Sequence, residues 1–435
     1  AICYRIVGHV KYAAKRSMLG IPVCLTATGF FRGATPSRME NDMSNEWNTR
    51  TKLVHSGSKR SQWNEVSEAI FLTQGFVYDT AEQAEARFIK AEPDEYIYAR
   101  YGNPTVAMFE ERMAAIEGCE DGFATASGMA AVNGALMAFL SAGDHVVGSR
   151  ALFGSCLYIL DEVLPRMGVE VTLVDGRDLD AWKAAIRADT KLVFFETISN
   201  PTLEVIDVTS VSAMAHEVGA IVVADNVFAT PVYSQAIEQG VDIVVYSATK
   251  HIDGQGRALG GIILGSHELI RGKVEPYMKH TGGAMSPFTA WIMLKGLETM
   301  DLRVRAQSTT AAALAEALDG HPKLARLIYP GHASHPQNDL VMRQMGNGGT
   351  MLSMDVKGGK EAAFRALNAL KIALISNNLG DAKTIATPPA ATTHQRLPDD
   401  QKQLLGITPG LIRLSLGIED SQDVIADILQ ALEHA

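Results

Sequence analysis

The stretch DIVVYSATKH, residues 242–251, decides how this chain is read. Ile243, Val244 and Val245 form a β-branched run of the kind that makes a buried strand. Ser247, Thr249, Lys250 and His251 follow where that strand should end. A single lysine in a loop is ordinary surface chemistry. It gains meaning only if other polar groups converge on the same place. In open α/β sheets, ligands collect at the carboxyl ends of the strands, so the neighbouring strand ends are the ones to read.

Apolar runs of strand length recur as HVVGS (145–149), VEVTLVD (169–175), KLVFFE (191–196), AIVVAD (220–225) and GGIILG (260–265). Helical patterns separate several of them, such as LDAWKAAIRAD (179–189) and VSAMAHEVG (211–219). VAMFEERMAAIEG (106–118) and ASGMAAVNGALMAFL (126–140) read as helices ahead of the first run. Strands bounded by helices predict an α/β fold with a mostly parallel sheet covered on both faces. This large domain is expected over 104–296, with an arm over 43–103 before it. A smaller C-terminal α/β domain is expected over 297–435. It would hold a long helical region from 290 to 320, strands at TMLSMDV (350–356) and LIRLSLG (411–417), and a final helix capped by Asp420 or Ser421. The polar loop THQRLPDDQKQ (393–403) is expected to be its most flexible element.

Composition narrows the function classes. The chain has 435 residues, is 47% hydrophobic and carries a net charge of -10. The acidic balance argues against a nucleic-acid surface. No apolar run approaches the roughly 20 residues that span a bilayer. Cys3, Cys24, Cys119 and Cys156 form no close pair, which fits a reducing, cytoplasmic location and excludes zinc spacing. His321, His332, His335 and His394 show no metal spacing either, so no metal is expected. The N-terminus carries Arg5, Lys11, Lys15, Arg16, Arg32 and Arg38 and no acid before Glu40. Residues 1–42 are therefore set aside as a basic extension: a transit segment, a tag remnant, or upstream sequence translated ahead of a start at Met39 or Met43.

The strand ends carry a coherent set of groups. AIVVAD ends on Asp225, KLVFFE on Glu196, and DIVVYS leads into Thr249 and Lys250. Ser127, Gly128 and Met129 open a helix whose free N–H groups favour an anion. Pyridoxal phosphate needs such a set: a Schiff-base lysine, an acid for the pyridine nitrogen, and a phosphate cradle. Glu196 is read as a brace for its strand end, His251 as packing, and Cys156 as a small buried residue.

YARYGNPT (98–105), ATASGMAA (124–131), FETISNPTLEV (195–205), VVADNVFATP (222–231), YSATKH (246–251) and IRLSLGIED (412–420) together carry a specific resemblance. From about Thr51 onward the chain resembles the Cys/Met-metabolism family of pyridoxal-phosphate enzymes. The resemblance implies the fold of type I transferases that use this cofactor. It implies Lys250 as the Schiff-base lysine and proton shuttle, and Asp225 on the pyridinium nitrogen. Gly128, Met129, Ser247 and Thr249 would hold the phosphate, and Asn200 the ring hydroxyl. Tyr98 and Arg100 would reach the phosphate of a neighbouring subunit, within a homotetramer built as a dimer of dimers. Arg413 would fork onto the substrate α-carboxylate.

Two positions depart from the family pattern. Phe153 stands where a tyrosine usually stacks on the ring, so stacking is kept and a phenolic acid–base group is lost. Asn378 stands where a serine usually helps bind the carboxylate. Methionine γ-lyases usually carry a cysteine at the position of Ser155. GQGRALGG (254–261), SNNLGDAK (376–383) and Phe153 resemble the sulfhydrylases that act on O-succinylhomoserine. The implied reaction is γ-replacement by sulfide, giving homocysteine and succinate in methionine biosynthesis. Use of cysteine as the nucleophile, of the acetyl ester, or γ-elimination from methionine are the alternatives. Arg257 is a candidate for the succinyl carboxylate. A degenerate relative with a binding role is the non-enzymatic alternative, and intact Lys250, Asp225 and Arg413 argue against it.

Overall fold

The computed structural model describes residues 47–92 and 94–435, so residues 1–42 and the choice among their three readings lie outside it. Its larger sheet has seven strands: β1 (Asp121–Thr125), β2 (His145–Ser149), β3 (Glu170–Val174), β4 (Thr190–Glu196), β5 (Ile221–Asp225), β6 (Ile243–Ser247) and β7 (Gly261–Gly265). Their order is β1-β7-β6-β5-β4-β2-β3. All pairings from β6 to β3 are parallel, and β7 runs antiparallel to both of its neighbours.

Alternation along each central strand divides its side chains between two cores. Val193, Phe195, Val222, Ala224, Val244 and Tyr246 belong to one apolar cluster. Leu192, Phe194, Val223, Ile243 and Val245 belong to the other. Helices cover both faces, which is why these strands read as continuous apolar runs. The runs expected at 145–149, 169–175, 191–196, 220–225, 242–247 and 260–265 all form strands. β1 carries no such signal in its sequence DGFAT. It is defined by pairing with β7, from Asp121 opposite Gly265 to Thr125 opposite Gly261.

A five-stranded sheet lies later in the chain, in the order β10-β11-β12-β9-β8. It comprises β8 (Leu324–Ile328), β9 (Met351–Val356), β10 (Leu374–Ile375), β11 (Ile385–Thr387) and β12 (Leu411–Ser415). The long helical region resolves into two helices, Pro287–Leu297 and Met300–Leu318. The last helix, Ser421–Glu433, is capped by Asp420, whose Oδ1 accepts from Gln422 N at 2.9 Å. The polar loop at 393–403 is more ordered than its composition suggests: His394 is buried and Asp399–Leu404 is helical. Among the described residues no helix is long and apolar enough to cross a membrane.

Candidate active site

Register places the acids. Glu196 and Asp225 are direct neighbours at the ends of β4 and β5, and Asp225 pairs with Val245 of β6. After β6 the backbone coils, with Lys250 N donating to Ser247 O at 3.2 Å and Gly254 N to Lys250 O at 2.8 Å. Lys250 thereby faces a cavity of about 730 Å³. Gly128, Met129, Phe153, Asn200, Asp225, Ser247, Thr249, Arg257, Asn378 and Arg413 line the same cavity. Tyr98 and Arg100 do not. Tyr98 is partly exposed and bridges Gly75, and the Arg100 guanidinium lies 5.4 Å and 4.9 Å from the Tyr98 and Tyr101 ring centres.

One wall is an anion cradle. Ser127 caps the helix Gly128–Met137, its Oγ accepting from Ala130 N at 3.1 Å. A Cβ on Gly128 would lie 2.5 Å from Ser247 Cβ, so only glycine lets this helix N-terminus meet the end of β6. Free backbone N–H groups, the positive end of the helix dipole and two hydroxyls then face one space. Thr249 is fixed there, its Oγ1 accepting from Gly260 N at 3.1 Å.

Cations line the same cavity. Burial lowers the Lys250 pKa to about 8, the Arg413 charge adds to the effect, and Asp225 opposes it. Lys250 Nζ donates to Asn378 Oδ1 at 2.6 Å. The amide oxygen of Asn378 is thus taken up by the lysine, and its NH₂ group is what remains for a carboxylate. Arg413, on β12, is buried. Nη1 donates to Asn200 Oδ1 at 2.8 Å, and Nη2 to the carbonyls of Asn377 and Asn378 at 3.2 Å. Its Nε has no partner among the described residues. Burial draws its pKa down to about 10. A buried guanidinium bonded only to neutral groups is a standing site for an anion.

Burial raises the Asp225 carboxyl, against a hydrogen bond from Val227 N and the charge of Lys250. Burial raises Glu196 well above the carboxylate range, and the neighbouring Asp225 adds to it. Glu196 braces two loops: Oε1 accepts from Phe153 N at 2.6 Å and Oε2 from Asn200 N at 3.1 Å. His251 is buried on Thr350 Oγ1 at 2.8 Å, its pKa lowered to about 3 by burial and by Arg303. Cys156 is buried too, with its thiol pushed well up by burial. Asp253, which anchors Arg257, escaped the sequence reading, although an acid four residues before an arginine in DGQGR was a visible pairing signal.

The donor set fits pyridoxal phosphate. An anion cradle that a Cβ at residue 128 would fill, a lysine of lowered pKa and an acid on the adjacent strand share one cavity. Bound, the positive ring nitrogen would pull Asp225 back toward its ionised form. Residues 50–433 match the family described as Cys/Met metabolism PLP-dependent enzyme. The chain belongs to that family. It is an enzyme of the pyridoxal-phosphate-dependent Cys/Met group, and Lys250, Asp225 and the Gly128 cradle are the residues that would hold the cofactor. An O-succinylhomoserine sulfhydrylase of Mycobacterium tuberculosis is 51% identical over 385 residues, covering 87% of this chain and 94% of the relative. A protein of the same name from Pseudomonas aeruginosa is 44% identical, covering 88% and 94%. A solved Campylobacter jejuni structure, assigned as an O-acetylhomoserine (thiol)-lyase, matches with a TM-score of 0.85 at 31% identity. The match covers 89% of this chain and all of that one, which carries a pyridoxyl-lysine phosphate.

Proposed function

We propose that this enzyme replaces the succinyl group of O-succinylhomoserine with sulfide, forming homocysteine and succinate in methionine biosynthesis. The observation that carries the reading is the charge layout of the cavity at Lys250. It offers a cradle for a phosphate, Arg413 for an α-carboxylate and a further arginine, Arg257, for a leaving group that is itself an anion. The names of the 51% and 44% identical relatives support it.

Bound pyridoxal phosphate supplies an electron sink for negative charge on the substrate carbon. The chain supplies the rest. Arg413 has an unpartnered Nε and can fork onto the α-carboxylate, which fixes the Cα–H bond relative to Lys250. Lys250 would hold the cofactor covalently, and as a free amine, its pKa lowered by burial and by Arg413, it can take a proton near neutrality and return it. Asn378 gives the free ammonium a place to dock, at the 2.6 Å contact seen here. The proton leaves Cα for Lys250, a second proton is taken from Cβ, and the electron pair left on Cβ forms the Cβ–Cγ double bond as succinate departs from Cγ with its bonding pair; sulfide then adds at Cγ, and protons return to Cβ and Cα. Phe153 offers a face for stacking and no acidic proton. Lys250 then serves as the mobile base for these transfers.

Tyr98 and Arg100, outside the cavity of their own chain, act in the cavity of a second copy. The arm at 43–103 is the contact, and a homotetramer forms from two such dimers. A cytoplasmic location accords with the unpaired Cys119 and Cys156. The test is a product assay with O-succinyl- and O-acetylhomoserine, each offered with sulfide or cysteine. Homocysteine from the succinyl ester and sulfide should form with the highest kcat/KM. Cysteine as the better donor would leave cystathionine synthesis in its place.

A further inference from the structure

The turn after Lys250 carries charge that the chemistry at Cα does not use. Asp253 is fully buried. Its Oδ2 accepts from the main-chain N of Arg257 at 2.7 Å, and its Oδ1 from Arg257 Nε at 2.9 Å. Its main-chain oxygen accepts from Arg257 Nη2 at 2.9 Å. The turn closes this tightly because Gly254 and Gly256 adopt φ of +65° and +68°. A Cβ at Gly254 would collide with the Arg303 guanidinium, and one at Gly256 would lie 2.7 Å from Asp381 Oδ2. Arg257 is therefore held at three points, on a rigid turn that starts at Lys250. Its side chain still lines the cavity, and Nη1 makes no hydrogen bond to the described residues.

An arginine on a mobile stem loses rotamer freedom when it binds a ligand. One already clamped loses little, and its remaining N–H donors point in a set direction. The negative charge of Asp253 also offsets the long-range pull of Arg257. Selection then depends on directed donors more than on net charge. We propose that Asp253 is a positioning residue: it aims Arg257 at the carboxylate of the leaving group and so sets the preference for an ester of a dicarboxylic acid. This inference rests on the assignment of Arg257 made above.

The experiment measures kcat and KM of the holoenzyme for O-succinyl- and O-acetylhomoserine with sulfide, and inhibition by free succinate. The variants are Arg257→Ala, Arg257→Lys and Asp253→Asn. A charge-assisted contact of this kind corresponds to a selective loss of about ten- to a hundredfold, so Arg257→Ala should reduce the succinyl-to-acetyl ratio of kcat/KM by that much. Asp253→Asn keeps the shape but cannot serve all of its donors, and should reduce the ratio by roughly tenfold, mainly through KM, with weaker succinate inhibition in step. Arg257→Lys keeps the charge and loses the fork, and should also lose the preference. Equal losses on both esters in Arg257→Ala would remove the leaving-group role of Arg257 itself. A selective loss there, with the wild-type ratio kept by Asp253→Asn, would overturn the positioning role alone. Should Asp253→Asn fail to fold or to hold cofactor, Arg257→Lys decides: a retained preference overturns the proposal.

Discussion

At the ends of β4, β5 and β6 the polar side chains find partners within their own chain, whereas residues 63–98 turn their largest apolar side chains outward. Lys250 has Asn378, Arg413 has Asn200, and Glu196 holds two backbone N–H groups. By contrast Trp63 is 80% exposed, and Val66 and Val77 are each 94% exposed. The helix Ala81–Ile89 is correctly capped by Thr80, yet it buries no residue at all. The segment is tied down around Glu68 and Phe71, by the buried pair of Arg112 Nη2 and Glu68 Oε1 at 2.6 Å and by Phe71 N donating to Thr105 Oγ1 at 2.9 Å. Exposed apolar surface forgoes about 25 cal/mol per Å², and a contiguous patch of it marks an interaction site. The cavity is thus organised within one chain, and the exposed apolar side chains of the arm are what the proposed contact with a second copy would cover. Tyr98 and Arg100 sit in the arm, so the same division runs through the candidate site.

The largest expected effect tests the cavity side. Lys250→Ala should abolish γ-replacement and the Schiff-base absorbance of the purified protein. Substantial turnover in that variant, without added amine, would show that the cavity does not work through its lysine. Asp225→Ala comes next. It should retain some cofactor and lose more than tenfold in kcat, about 1.4 kcal/mol of barrier or more, because the ring nitrogen loses its counter-charge. A smaller loss would mean that the β5 end is only scaffolding.

The arm side is tested by mixing subunits. Arg100→Ala and Lys250→Ala proteins, each impaired alone, should regain activity after subunit exchange. Hybrid dimers then contain sites with both wild-type residues. No recovery, with exchange verified by mass, would place each site wholly within one chain and erase the contrast drawn above.

The smallest effect concerns the electrostatics of the cavity. Burial lowers Lys250 from an ordinary value of 10.5 to about 8. The amine is therefore protonated, and unable to attack an aldehyde, below about pH 8, and neutral above it. Protein stripped of cofactor should take up pyridoxal phosphate at a rate that rises about tenfold per pH unit below that point and then levels off. A rate still climbing at pH 10 would show that the cavity does not disfavour the ammonium form.

The sequence carried much of this by itself. The apolar runs at 192–195, 221–224 and 243–245 determined the central strands, because both faces of those strands are covered and every position in these runs is apolar. The chemistry was legible for a related reason. Lys250, Asp225 and the glycine-opened helix at Gly128, which line one cavity, are short local signals that sit where a strand or helix begins or ends. Phe153 and Asn378 were legible as departures, and Arg257 as a nearby cation.

Long-range geometry decided the rest. β1 is written DGFAT and becomes a strand only by lying against β7, so its own residues could not announce it. The proximity of Glu196 and Asp225 depends on strand register, which two sequence positions 29 residues apart do not reveal. The contact of Lys250 with Asn378 spans 128 positions, and that of Arg413 with Asn200 spans 213. Such pairs come together only after two separate sheets have formed. The arm reverses the lesson: its apolar residues were visible in the sequence, but only the fold shows that Trp63, Val66 and Val77 stay exposed among the described residues.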